Sequence, residues 1–340
     1  MKLTKHKIKL LLIFVLFSGI GLLTSTNINA KAYNEFGVSA VIPKNQLNDS
    51  AEYYDLVVKK DTKQKLKLKV TNKGKKNMVA NVQLYSATTS NNGGVIYNQN
   101  KKADSSLNKP INKYVKVLTP KLSIKAGTSE YATIEVDMKD TYFDGIILGG
   151  INVNADTKDV ENKSSQAGIS MDNKVSFVTA IKLNMTKKNV ERNLNLVETK
   201  GELIDFRTSV SAQLQNDKPI LMKGVNIKGD IFKAGSEDSI SNVNIKGADI
   251  APNSNFKVVY DWNDQKLKEG KYRIRMEARH EKKVWKWDEE FEIKDANKVN
   301  EGAFVLKNNW ILILGLILGV LVLLVIILIL VKRRKNKEDK

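Results

Sequence analysis

Strict two-residue alternation is the feature that leaves this chain the fewest ways to fold. Lys65–Val70 reads KLKLKV, with Leu66, Leu68 and Val70 on one side and Lys65, Lys67 and Lys69 on the other. A period of two belongs to a strand with one buried face. A turn cluster follows, Thr71-Asn72-Lys73-Gly74-Lys75-Lys76. Met78, Ala80, Val82 and Leu84 then resume the alternation, so this second run is expected to be the hairpin partner of the first. Glu130 to Met138 repeats the pattern through Ala132, Ile134, Val136 and Met138, and VSFVTAIKL from Val175 to Leu183 reads as another strand.

A second series begins after Thr186-Lys187-Lys188-Asn189. Leu194 and Leu196 alternate, then Val210, Ala212 and Leu214, then Val225, Ile227, Gly229 and Ile231, then Phe256, Val258 and Tyr260. In KYRIRMEARH, Tyr272, Ile274, Met276 and Ala278 share a face opposite Arg273, Arg275, Glu277 and Arg279. In KVWKWDEEFEI, Trp285, Trp287, Phe291 and Ile293 share a face that Glu289 interrupts, which marks a turn or a sheet edge there. Many short strands separated by turn signals argue β-sandwiches. The polar stretch 155–174, ADTKDVENKSSQAGISMDNK, reads as a long exposed hairpin loop, because the next strand returns to the same sheet.

The segment YFDGIILGGINV, Tyr142 to Val153, has three glycines and invites a phosphate-loop reading. A phosphate loop needs GxGxxG or GxxxxGK[ST] opening a helix, and neither spacing is present. It is read instead as a turn, Phe143-Asp144-Gly145, entering a buried strand in which Gly149 and Gly150 mark a bulge or a close backbone approach.

The two ends carry a different signal. Lys2, Lys5, Lys7 and Lys9 precede an apolar run from Leu10 to Leu23 and a polar stretch ending at Ala30, the layout of a secretory signal peptide over residues 1–30. An uncleaved N-terminal anchor is the alternative. WILILGLILGVLVLLVIILILV, residues 310–331, is uncharged and long enough to cross a bilayer, with Lys332, Arg333, Arg334 and Lys335 directly after it. The expected topology is a single pass in the cell membrane, with the domains outside and a basic tail, 332–340, in the cytoplasm. Gly315 and Gly319 have the spacing of a helix-pairing motif, although glycine is common in spans.

Of the chain's formal +19, the leader holds four basic residues and the tail six basic and two acidic, so roughly +11 falls on the outside portion. That suits anionic glycans, teichoic acid or headgroups, and export argues against nucleic acid. A lysine-rich solvated surface explains it too. The absence of cysteine in an exported β-rich chain suits a Gram-positive bacterium better than an animal cell.

Candidate sites are few. Arg273, Arg275 and Arg279 form a basic stripe, read equally as a strip for an anionic polymer or partner protein and as a solvated sheet face. Trp285 and Trp287 could stack on a sugar, but their spacing favours the core. His280 is the one histidine outside the leader and extends an apolar face. Asp261-Trp262-Asn263-Asp264 lacks the spacing of a calcium loop and reads as a turn. No catalytic, cofactor-binding or metal-binding residue is nominated. An enzyme or accessory subunit of wall processing, and a plain electrostatic binder of teichoic acid, are the alternatives to a binding scaffold.

The segments YDLVV (54–58), LKLKVTNKGKKNMVANVQLYSATT, YFDGIILGGINV, LQNDKPILMKG, APNSNFKVVYDW, LKEGKYRIRMEA and WKWDEEFEI, in this order, resemble a Gram-positive surface family, the WxL-interacting proteins. The resemblance implies an all-β exterior of two tandem immunoglobulin-like domains, a peptidoglycan-binding one over 31–187 and a host-binding one over 188–294. A tether, 295–309, and the C-terminal transmembrane helix would follow. The implied partners are WxL-domain wall proteins, peptidoglycan or anionic wall polymer, and host matrix proteins.

Overall fold

The alternating residues form strands throughout, and their apolar faces are buried. A computed structural model describes residues 36–303, apart from 98–101, 157–175, 187 and 264, together with 315, 318 and 319. The signal peptide, nearly all of the apolar run 310–331, the basic tail and the loop after residue 156 lie outside the described residues. Among those described, no helix is long and apolar enough to cross a membrane.

The first sandwich is built from β1 (Phe36–Val41), β2 (Tyr54–Val57), β3 (Lys63–Asn72), β4 (Met78–Ser86), β7 (Val115–Val117), β8 (Lys121–Ile124), β9 (Ser129–Asp137), β10 (Ile146–Asp156) and β11 (Ser176–Asn184), with a small hairpin, β5 (Thr88–Thr89) and β6 (Val95–Ile96), projecting from it. One layer has the order β1-β3-β9-β7 and the other β2-β11-β10-β4-β8. β2 runs parallel to β11 and every other pairing is antiparallel. The second sandwich holds β12 (Asn195–Ile204), β13 (Arg207–Asn216), β14 (Met222–Lys233), β15 (Ser239–Ile250), β16 (Ser254–Asp261), β17 (Gly270–His280) and β18 (Lys283–Ile293). Its layers are β12-β13-β16 and β15-β14-β17-β18. Seven strands split three and four in this Greek-key order are an immunoglobulin-type sandwich, and the first unit is a variant with a split first strand.

Each sandwich has its own core. Leu66, Leu68 and Val70 of β3 meet Ile134 and Val136 of β9, and Ile151, Val153, Ile181 and Leu183 come from the facing layer. In the second, Val210, Ala212 and Leu214 face Ile227, Ile231, Ile274 and Met276, with Phe256, Val258 and Tyr260 beside them. Burying a Leu, Ile or Val side chain stabilises by about 1.5–3 kcal/mol, so these faces outweigh the weak strand propensity of the lysines between them.

Two expectations change and one narrows. β3 and β4 are not a hairpin, because they lie in opposite layers. At the crossover lies Asn72, buried at the end of β3. Its Nδ2 donates to the Lys76 carbonyl (2.8 Å) and the Ile124 carbonyl (3.1 Å), and its Oδ1 accepts from the Gly74 N–H (2.9 Å). These bonds tie the end of β3 to the turn that leads into β4 and to the end of β8 in the facing layer. Of the two readings of the glycine pair, the close approach holds and the bulge does not, since register runs unbroken from Gly149 and Gly150 to β11 and β4 while neighbours crowd both α-carbons. Finally, the start of the 295–309 tether is ordered as α1 (Ala296–Glu301), with Ala296 buried in the second core. The Asn300 side chain donates to the Leu267 carbonyl (3.0 Å) and accepts from its N–H (2.9 Å).

Other expectations stand. β10 and β11 pair as the strand return across 155–174 requires. β18 is a sheet edge, and exposed Glu289 sits between half-buried Trp287 and Phe291. Asn263 takes a positive φ of 53°, and its N–H bonds the Asp261 carboxylate at 2.8 Å, so the calcium-like scrap is a turn.

Candidate binding surfaces

Arg273, Arg275 and Arg279 share the outer face of β17, as their alternation requires, and carboxylates hold all three. Arg273 makes a two-pronged bond to Asp288 (Nε 2.5 Å, Nη2 2.7 Å), and Arg275 makes another to Glu237 (2.6 and 2.8 Å). Secondary contacts at 3.5–3.6 Å cross-link the two pairs. Arg275 also lies 5.0 Å from the Phe232 ring centroid. Arg279 stands apart from this network and bonds Glu277 at 3.1 Å. The hydrogen bonds from Arg273, Arg275 and Arg279 hold Asp288, Glu237 and Glu277, respectively, below the usual carboxylate range. Cation and anion cancel across the stripe. Glu237, in the turn between β14 and β15, was invisible as a partner because it lies 38 residues from Arg275.

Trp285 is buried and Trp287 packs against the second core, so neither forms an open sugar platform. His280 is 5% exposed at the end of the same inward face. Among the described residues no group of three or more His, Asp or Glu side chains is arranged to hold a metal ion.

The first sandwich carries a different cationic face. Lys65, Lys67 and Lys69 project from β3 in the layer opposite the glycine strand. Lys63, at the strand's start, bonds Glu135 (3.2 Å) and Asp137 (3.0 Å). Lys65, Lys67 and Lys69 have no carboxylate within ion-pair distance among the described residues. Tyr131 on β9 lies directly opposite Lys69, is 46% exposed, and has the Lys67 ammonium 5.7 Å from its ring centroid.

The glycine stretch sits at the junction of the two sandwiches. Gly145 has φ +78°, and a Cβ there would collide with the Pro219 carbonyl of the second sandwich. The next N–H, of Ile146, donates to that same carbonyl at 2.8 Å. A Cβ on Gly149 would press on Ile111 at 2.7 Å, and one on Gly150 would collide with the Tyr97 ring. Asp144 accepts from Thr186 and Lys188, both at 2.9 Å, and so pins the connecting segment. Around this point the β5–β6 hairpin grips β16: the Asn92 N–H donates to the Lys257 carbonyl (2.9 Å) and the Val259 N–H donates to the Asn92 side chain (2.9 Å). Ala87, Leu148 and Ala251 form a small apolar cluster there, with Tyr97 and Leu221 against it. Asp104 reaches from the first sandwich to Gln215 (2.9 Å) and Asn255 (2.6 Å) of the second. None of these cross-domain partners was legible from spacing.

Two family models match the chain in tandem. One, described as the WxL Interacting Protein peptidoglycan binding domain, matches residues 36–155, and the other, the WxL Interacting Protein host binding domain, matches 166–301. The second match starts ahead of β11, although Ile181 and Leu183 of β11 are buried in the first core. No curated protein matches significantly. Solved structures with some similarity include a chaperone–tip adhesin complex of CFA/I fimbriae biogenesis (12% identity, 75% of this chain and 98% of that chain, TM-score 0.30). Others are the E. coli chaperone DraB (12%, 76% and 95%, 0.29) and a PapD-like domain of human CEP192 (7%, 46% and 87%, 0.26). These scores are too low to carry a functional argument. The two models together cover most of the chain, in the order that the quoted segments led one to expect, and both describe binding domains: the chain belongs to the WxL-interacting protein family, with a peptidoglycan-binding domain followed by a host-binding domain.

Proposed function

We propose that this protein is a binding scaffold at the outer surface of the cell membrane. The first sandwich, 31–187, holds peptidoglycan or anionic wall polymer. The second, 188–294, meets host matrix proteins. The pair engages wall proteins that carry a WxL domain. A signal peptide over 1–30 and a span over 310–331 would keep both sandwiches outside, on the wall side.

The observation that carries this reading is the tandem family match, set on two sandwiches with separate cores. The boundary is proposed near residue 187, because β11 contributes to the first core. Arg273, Arg275 and Arg279 are proposed as the partner contact of the second sandwich. An anionic partner would have to exchange with Asp288, Glu237 and Glu277, so the stripe is a mixed-charge surface that favours a partner carrying both signs. Exposed ion pairs of this kind contribute little to stability and are free to exchange.

Full-length protein purified in detergent and immobilised at moderate salt should retain WxL-domain proteins from a wall extract and sediment with peptidoglycan. Retention no greater than on a charge-matched control protein would refute the reading.

A further inference from the structure

We propose that the outer face of the β1-β3-β9-β7 layer is the glycan-contacting surface of the first sandwich, and that it takes a peptidoglycan strand, sugar on Tyr131 and stem-peptide carboxylates on Lys65, Lys67 and Lys69. The proposal rests on the peptidoglycan-binding reading above and adds the site and the chemistry of contact.

Charge compensation is the first argument. The Arg stripe of the second sandwich is matched almost one for one by carboxylates, and Lys63 on β3 is matched twice. Lys65, Lys67 and Lys69 are not matched by any described carboxylate, and Glu135, which stands opposite Lys65, is taken by Lys63. Three neighbouring ammonium groups repel one another and lack an internal counterion. An anionic ligand would relieve that repulsion.

Spacing is the second. Alternate residues on a strand lie about 6.6 Å apart, so Lys65 to Lys69 spans about 13 Å in a line. A line of charges fits a polymer with repeated carboxylates better than a single ion.

The aromatic ring separates one wall polymer from another. Tyr131 stands in the lysine row with nearly half its surface open, and the Lys67 ammonium 5.7 Å from its ring centroid is a contact that a ligand would share or displace. The apolar face of a pyranose packs on such a ring, whereas a polyol-phosphate chain has no ring to offer it. Beside it the floor is low and hydroxylated: Ser39 pairs with Lys69, and Thr133 with Lys67. Small hydroxyl residues leave room for a sugar and supply donors and acceptors to it.

The test is sedimentation of the full-length protein, in detergent, with purified walls either intact or stripped of teichoic acid. Three proteins are compared with the parent: Tyr131→Ser; Lys65→Gln with Lys67→Gln and Lys69→Gln; and, as a control of equal charge on the second sandwich, Lys223→Gln with Lys246→Gln and Lys271→Gln, all three exposed. Expected is sedimentation of the parent with stripped walls, about tenfold weaker binding for the tyrosine and first lysine variants, and no change for the control. Thermal melts of the two affected variants should stay close to the parent's, because Tyr131, Lys65 and Lys67 are exposed and Lys69 is only half-buried. If parent and variants sediment alike, this face is not the site, although the peptidoglycan reading survives. If the lysine variant weakens and Tyr131→Ser does not, the surface reads charge alone and the sugar contact is wrong. If the parent binds only intact walls, the ligand is the phosphate polymer: the proposal falls, and of the reading beneath it the peptidoglycan half falls while the anionic-polymer half stands.

Discussion

Thr89 and Ser254 stand 165 positions apart in the chain, yet their hydroxyl oxygens lie 2.7 Å from each other in a buried contact between the two sandwiches. The Ala251 N–H donates to the same Thr89 oxygen at 2.9 Å, and the Ser254 hydroxyl reaches the Ala251 carbonyl at 2.8 Å. The tandem domains are therefore joined by a built interface as well as by a linker. On the proposed reading, a ligand on one sandwich would sit at a set position relative to a ligand on the other.

Gly145→Ala should loosen that interface. The substitution adds a Cβ against the Pro219 carbonyl at a backbone φ of +78°. Strain of this kind costs about 1–3 kcal/mol. A lower melting temperature is expected, with faster proteolysis near residues 186–193. A melt and digestion pattern identical to the parent would refute it.

Acid should open the junction through Asp104. Burial pushes its carboxyl up, but hydrogen bonds from Ser106, Asn255 and Gln215 outweigh this and leave it below the ordinary value. A carboxyl whose folded value is depressed contributes stability above its unfolded value and loses it as pH falls through the folded one. Protection of the β13–β16 amides against hydrogen exchange should hold from neutrality down to about pH 4 and decline below it. Asp104→Ala should flatten that decline and lower stability by about 1 kcal/mol, discounted because the side chain is only partly buried.

Tyr260→Phe separates packing from hydrogen bonding in the second core. The ring is fully buried and its hydroxyl finds no partner among the described residues. Gly229 lies against that hydroxyl and leaves it room. Removing an unsatisfied buried group should leave stability unchanged or raise it by about 1 kcal/mol, whereas Tyr260→Ala should cost about 3–5 kcal/mol. Denaturant unfolding of both variants decides it, and a destabilised Phe variant would reveal a hidden partner for the hydroxyl.

The Arg273–Asp288 and Arg275–Glu237 pairs should prove weakly coupled. A double-mutant cycle on Arg273 and Asp288 is expected to give a small coupling that fades as salt rises towards 1 M, because screening is strong for exposed charges. Coupling that persists at high salt would mean the stripe is a structural clasp, not a surface free to exchange partners.

Two-residue alternation, by itself, marked most of the long strands and their inward faces, while β1, β7, β8 and β15 went unread. Each strand's Leu, Ile and Val lie on one side whatever the rest of the chain does, so Leu66, Leu68 and Val70, or Tyr272, Ile274 and Met276, needed no partner to be read as core. The family order was legible for the same reason, since patterned strands in sequence are its signature. Which layer a strand joins was not local. β4 lies in the layer opposite β3, and Asn72 at that crossover bonds Ile124, 52 residues away. The arginine stripe showed its sign in the sequence but not its neutralisation, which depends on Glu237 folding over from a turn. The glycines of YFDGIILGGINV were legible as room for a close approach. Only the tertiary structure revealed that the room is taken by Ile111, Tyr97 and the second sandwich's Pro219, because contact between distant segments is decided by how two closed cores dock and not by any repeat along the chain.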